Sequence, residues 1–191
     1  MRAIIQRVSS ASVTVDNAVI SQISKGLMVL VGIGTDDNVS DIETLTKKIV
    51  SLRVFDDEAS GAMWKKSVKD IDGEILCVSQ FTLLANTAKG NKPDFHRAMS
   101  TEPSRQMYAT FLERIGQIYK AEKIKDGKFG AMMSVTLTNE GPVTFTLDSR
   151  KFEYVDQPVT GGSGSTSGKN RTSTENAQND APHAPAPLPS K

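Results

Sequence analysis

Polar and apolar residues alternate over Ile4–Val8 and again over Ser12–Val15, the period of strands that bury one face. Asp16-Asn17 is turn chemistry, and Val19–Ile23 answers it as the second arm of a hairpin. Leu27–Ile33 is apolar almost throughout and is punctuated by Gly32 and Gly34. A run like that predicts a strand buried on both faces. Helical spacing follows: Ile42, Leu45, Ile49 and Leu52 fall on one stripe behind Ser40-Asp41-Ile42-Glu43, which has the form of a capping box. Val54-Phe55 then begins a short strand, Asp56–Gly61 a polar turn, and Ile75–Gln80 another strand. Beyond a loop at Asn86–Phe95, a second helix is predicted from about Pro103, with Thr101 as its N-cap. Met107, Phe111, Leu112, Ile115 and Ile118 form its buried stripe. Met132–Leu137 and Val143–Leu147 read as the last strands. The predicted class is α/β: a mixed, curved or barrel-like sheet carrying two main helices.

Composition divides the chain near Val155. From Asp156 to Lys191 there is no Phe, Trp, Tyr, Ile or Met, and Gly, Ser, Thr, Asn and Pro dominate. Such a segment buries too little apolar area to offset its ordering entropy, so residues 1–155 are expected to form the domain and 156–191 a disordered tail. The chain has 191 residues and a formal net charge of +1, so charge alone does not argue for nucleic acid. The start lacks a secretory h-region, and no run reaches the roughly 18–20 apolar residues of a membrane helix. A soluble, cytoplasmic protein without a membrane partner is expected. The one cysteine, Cys77, lies in the apolar run Ile75–Val78 and reads as a core residue.

Familiar catalytic groupings are missing from the sequence. His96 is the one histidine in the body, in Lys92-Pro93-Asp94-Phe95-His96, and reads as an ordinary loop histidine. No carboxylates cluster at ligand spacing, and neither phosphate-loop nor dinucleotide fingerprints occur, so no metal or cofactor is expected. Two stretches stand out. Ser79-Gln80-Phe81-Thr82 places polar groups at the end of an apolar strand, with Gln80, Thr82 and Leu84 expected on one face. That is either a strand edge bonded to backbone or a set of groups that holds a polar ligand. Thr82 is a nucleophile only with a base beside it, and the sequence offers none. The second stretch is Asn139-Glu140-Gly141-Pro142-Val143-Thr144. Its proline cannot donate to a ladder, its glycine takes backbone angles closed to other residues, and an X-Pro bond adopts cis at only about 0.5–1 kcal/mol. Alone it is a plain turn or a rigid piece of presented backbone.

Together these two stretches resemble the signature motifs of the D-aminoacyl-tRNA deacylases. Gln6-Arg7-Val8, Lys92-Pro93-Asp94-Phe95-His96 and Phe129-Gly130-Ala131-Met132-Met133 extend the likeness over about residues 1–150. The resemblance implies the deacylase-like fold and a homodimer. It also implies hydrolysis of the ester that joins a D-amino acid, or glycine, to the 3′-terminal adenosine of tRNA. Gly141 and Pro142 are similar to a cis pair that reaches into the partner subunit's site, where backbone atoms crowd an L-side chain. Arg7 resembles the arginine that holds this pair. Phe81 lies where the adenosine packs, and Ser79, Gln80 and Thr82 surround the reacting ester, positioning it while the tRNA 2′-OH assists. Lys65, Lys66, Lys69, Lys89 and Lys92 are candidate contacts for the tRNA 3′ end. The alternative is an RNA-binding protein that keeps the fold without the activity.

Overall fold

A computed structural model describes residues 1–150 of the chain; the expected tail lies outside the described residues. The chain opens with one long strand, β1 (Arg2–Val15). Its first half pairs antiparallel with β3 (Gly26–Gly32) and its second half with β2 (Ala18–Ile23) along the same edge. β4 (Glu74–Ser79) and the short β5 (Ile124–Asp126) continue the sheet in parallel beyond β3. β6 (Ser134–Asp148) covers the other edge of β1 over nearly its whole length. The result is a mixed, strongly curved sheet close to a barrel, with α1 (Val39–Ser51) and α2 (Thr101–Ile118) laid on it.

Strand period explains the two cores. Leu27, Val29, Val31, Ile75 and Cys77 point toward the helices, where they meet Ile42, Leu45, Ile49, Phe111 and Ile115. The alternate residues Met28, Leu76 and Val78 face the opposite way, onto Val8, Val13 and Ile23. β3 is therefore buried on both sides, which its apolar run predicts. Gly26 has no room for a side chain, because an added Cβ would run into the Glu74 carbonyl. Asp16 and Asn17 both have positive φ, 50° and 64°, as a two-residue hairpin turn requires.

Four local expectations need correction. The helix α1 is capped by Asn38, whose Oδ1 accepts from the Ser40 amide at 2.9 Å while Asp41 accepts from the Asn38 amide at 2.9 Å. Asp41 sits three places after Asn38, so the box lies two residues earlier than Ser40 and Glu43 predict. Glu43 bonds Arg114 on α2 instead. Likewise α2 is capped by Ser100, not Thr101. Val54-Phe55 forms no strand; Phe55 makes an isolated bridge to Lys66. Finally, the predicted pairs of strands at both ends of the domain are single long strands with irregular register, because bulges absorb the breaks in alternation.

The start of the chain is fastened by charge. The Met1 ammonium donates to Asp37 Oδ1 at 2.5 Å and to Ser149 Oγ at 2.7 Å, and the Met1 side chain is buried. Arg2 holds Asp148 of β6 through Nε at 3.0 Å and the Leu83 carbonyl through Nη1 at 2.9 Å. These bonds tie the sheet to the turn that carries the first candidate motif.

Candidate active site

β4 ends at Ser79, where the Gln80 amide donates to the Val31 carbonyl at 2.7 Å. The chain then folds into one tight 3-10 turn, Phe81–Leu84. This breaks the expected alternation of Gln80, Thr82 and Leu84: Leu84 is buried, whereas Thr82 and Phe81 are exposed. Phe81 is 58% exposed and meets Phe95 edge-on at a centroid distance of 5.0 Å. An open aromatic face braced from the side is a surface on which a base stacks. The Gln80 amide nitrogen donates to Thr82 Oγ1, which fixes the hydroxyl and leaves its proton free to donate. Among the described residues, neither the Phe81 nor the Thr82 backbone amide has a bonded acceptor. Two free donors beside an anchored hydroxyl suit a developing oxyanion.

The second motif sits in β6. Register runs Gln6 with Thr144 and Val8 with Asn139, so Arg7 alone faces residues 140–143. The excess chain bulges outward. The Gly141-Pro142 peptide is cis, as the resemblance implies, and both residues are exposed. Gly141 has φ +115°, and a Cβ there would meet Val143 Cγ2 at 2.8 Å and Arg7 Nη2 at 3.0 Å. Only glycine fits. From behind, Arg7 donates through Nε to the Glu140 carbonyl at 3.2 Å and through Nη1 to the Val54 carbonyl at 2.6 Å. Its rigid fork thus ties the bulge to the core segment after α1.

The two motifs do not meet within one chain. Ser79 pairs with Val31, which pairs with Ala3, four residues along β1 from Arg7. With three strand spacings across the sheet as well, the bulge and the turn lie roughly 15–20 Å apart.

The family model described as D-Tyr-tRNA(Tyr) deacylase matches residues 4–148, a span that contains both motifs. The chain belongs to the D-Tyr-tRNA(Tyr) deacylase family. As a deacylase it is a hydrolase. It is similar to a D-aminoacyl-tRNA deacylase of Dictyostelium discoideum, 56% identical over 79% of this chain and 99% of that protein. A deacylase of Saccharomyces cerevisiae is 54% identical over 78% of this chain and 99% of its own length. A solved structure named c-Myc DNA Unwinding Element Binding Protein is 53% identical, with a TM-score of 0.75 over 78% of this chain and 98% of that one. Another, a probable eukaryotic D-amino acid tRNA deacylase, is 17% identical at a TM-score of 0.67 and shares the fold.

In this deacylase the other candidates are scattered between the core and several loops. His96 is exposed and pairs with Asp94, whose carboxyl the His96 amide and ring hold below its ordinary range. Cys77 is fully buried, and burial pushes its thiol well up, so it is core and not a nucleophile. Lys89 and Lys92 lie on the loop that carries Phe95, while Lys65 and Lys66 lie beside Trp64, with Lys66 3.7 Å from Asp57. The lysines therefore occupy separate loops of one chain. Among the described residues no group of His, Cys, Asp and Glu is placed to hold a metal ion, and no helix is long and apolar enough to cross a membrane. Sequence reasoning missed Arg2, Phe95 and the side chain of Asn139 as site-building residues. Arg2 acts through Leu83, far along the chain, and Asn139 through Val143 and Thr144 of its own motif, by a side-chain orientation that spacing does not give. Phe95 lies in the Lys92–His96 stretch, whereas its partner Phe81 belongs to the turn after β4.

Proposed function

We propose that this deacylase hydrolyses the ester of D-aminoacyl-tRNA, and of glycyl-tRNA, and rejects L-aminoacyl-tRNA at the Gly141-Pro142 backbone. The observation that carries this reading is the exposed bulge: backbone without a side chain at Gly141, braced from behind by Arg7. A wall of backbone has no rotamer with which to move aside. It therefore excludes by shape and leaves the amino-acid side chain otherwise unread, as an enzyme for many D-residues requires.

The working site is a homodimer's. A bulge roughly 15–20 Å from Thr82 in its own chain reaches a substrate only in a second copy. Exposed Trp64, next in sequence to exposed Met63, meets Phe145, on the strand that carries the bulge, at 6.2 Å. On the other side of the sheet edge, Ile4 and Leu30 are half-buried beside exposed Thr144 and Thr146. This uncovered face is where the partner is placed.

In the proposed reaction the terminal adenine stacks on Phe81 and the ester lies over the turn. The Phe81 and Thr82 amides receive the carbonyl oxygen as it gains charge. Donors of this kind contribute about 2.7–4 kcal/mol each. Thr82, aligned by Gln80, and Ser79 orient the ester, and the tRNA 2′-OH assists the attacking water. An aminoacyl ester is already activated, so orientation takes the place of a general base. With aminoacyl-tRNA as substrate, the proposed setting is the cytoplasm.

The test is deacylation of D-Tyr-tRNA and L-Tyr-tRNA by the full chain. Release from the D-ester with the L-ester spared is expected; equal rates on the two would sink the chirality claim. The name of the DNA-unwinding-element relative raises a second reading, a nucleic-acid binder that keeps the fold without the activity. Tight tRNA binding with no turnover would favour it.

A further inference from the structure

We propose that Asn139 is a specificity-positioning residue that sets the outward reach of the Gly141-Pro142 wall; this rests on the reading of that wall as the chirality filter. The bulge inserts surplus chain opposite Arg7 and so forfeits its ladder bonds to β1 there. Arg7 ties one end of it through the Glu140 carbonyl. At the other end the Val143 amide is a donor, which the guanidinium, itself only a donor, cannot hold. Asn139 supplies the missing tie. Its Oδ1 accepts from the Val143 amide at 3.1 Å, and its Nδ2 donates to Thr144 Oγ1 at 2.9 Å. The side chain thus closes the bulge across its base, from the residue before it to the two residues at its far end.

The chemistry of the amide explains the residue type. The Val143 amide is a donor and must face an oxygen, so the orientation of the Asn139 carboxamide is fixed and its nitrogen faces Thr144. A clasp made of a backbone amide and a hydroxyl needs two polar atoms on one short, stiff side chain. Glutamine is one methylene too long for this span, and serine offers one atom. Aspartate fits, because one carboxylate oxygen accepts from the Val143 amide and the other from the Thr144 hydroxyl turned to donate. Arg7 and Asn139 hold opposite ends of the same bulge. Releasing Val143 leaves Pro142 attached on one side only, so the wall yields toward the space it is meant to deny.

The consequence is read in selectivity before it is read in stability. Wild type, Asn139→Ala, Asn139→Asp and Thr144→Val are compared by kcat/KM on D-Tyr-tRNA and L-Tyr-tRNA, alongside thermal melting. In Asn139→Ala the D-over-L ratio is expected to fall at least tenfold, mostly through faster cleavage of the L-ester. Asn139→Asp is expected to restore most of the ratio, and Thr144→Val, which removes one of the two bonds, to lie between. A merely structural asparagine would lower the melting temperature and leave the ratio where it was. The inference is overturned if folded Asn139→Ala keeps the wild-type ratio, or if Asn139→Asp loses it as fully as alanine does. Should Asn139→Ala fail to fold, an unaltered ratio in Thr144→Val overturns it. A wild type that cleaves both esters equally removes the chirality filter itself and, with it, this role. A discriminating wild type with a discriminating Asn139→Ala removes only the role of Asn139.

Discussion

The Thr82 hydroxyl is held by the Gln80 side chain, its one hydrogen-bond partner among the described residues. With no imidazole or carboxylate to take its proton, it lacks the means to become a nucleophile. Thr82→Ala should therefore slow deacylation by about tenfold or less, whereas loss of a true nucleophile costs on the order of a millionfold. A folded but dead Thr82→Ala enzyme would restore the nucleophile. Phe81 makes a different prediction. If it stacks the adenine, Phe81→Ala removes about 1–3 kcal/mol per base. The loss should raise KM more than it lowers kcat in steady-state assays. Residue types at both motifs were legible because each is unusual where it stands: polar groups at the end of an apolar strand, and a proline between strands. Arg2 and Phe95 were not, since each matters only through a residue far along the chain.

Elements show where alternation misleads. Ile4–Val8 and Ser12–Val15 look like two strands because a bulge shifts the register near Val8 and Ser10, yet β1 is continuous. The Asn38 cap escaped because Ser40 and Glu43 offered a capping box by spacing; the packing of α2 took Glu43 for Arg114. By contrast, the Leu27–Ile33 run and the Asp16-Asn17 turn carry their structure in their own chemistry, and both appear where the pattern places them. Close approach of β3 to β4 yields the prediction at this scale. Gly26→Ala drives a Cβ into the Glu74 carbonyl, which belongs to backbone and has no rotamer to change. A loss of about 3 kcal/mol or more is expected in denaturant titration; an unchanged midpoint would show that β4 can shift.

At the scale of the molecule, the ends of β1 and β6 and the start of α1 share one charged junction of Met1, Asp37, Asp41, Ser149 and Arg150. Burial pushes the Asp41 carboxyl up, but the Ser149 hydroxyl, the Asn38 amide and the nearby Met1 ammonium outweigh it and hold the group below its ordinary 3.8. A carboxyl lowered by folding stabilises above its unfolded value and loses that contribution as pH falls through the folded one. The contribution of Asp41 should thus be complete from neutral pH to about 5 and be lost below about 4, so the acid fall in stability should be shallower in Asp41→Asn. Denaturation midpoints across this range check it. Composition makes the separate prediction that removing residues 156–191 leaves deacylation nearly unchanged; a large loss would give that segment a role.

The sequence by itself determined the class of fold, the two helices, the buried central strand and both motifs, because those follow from short-range period and residue chemistry. Tertiary structure decided what the motifs are to each other. It made the end of β4 a turn with free amides, set Arg7 behind the bulge of β6, and held the two motifs apart within a chain. Those facts depend on strand register and on partners distant in sequence, which no local pattern encodes.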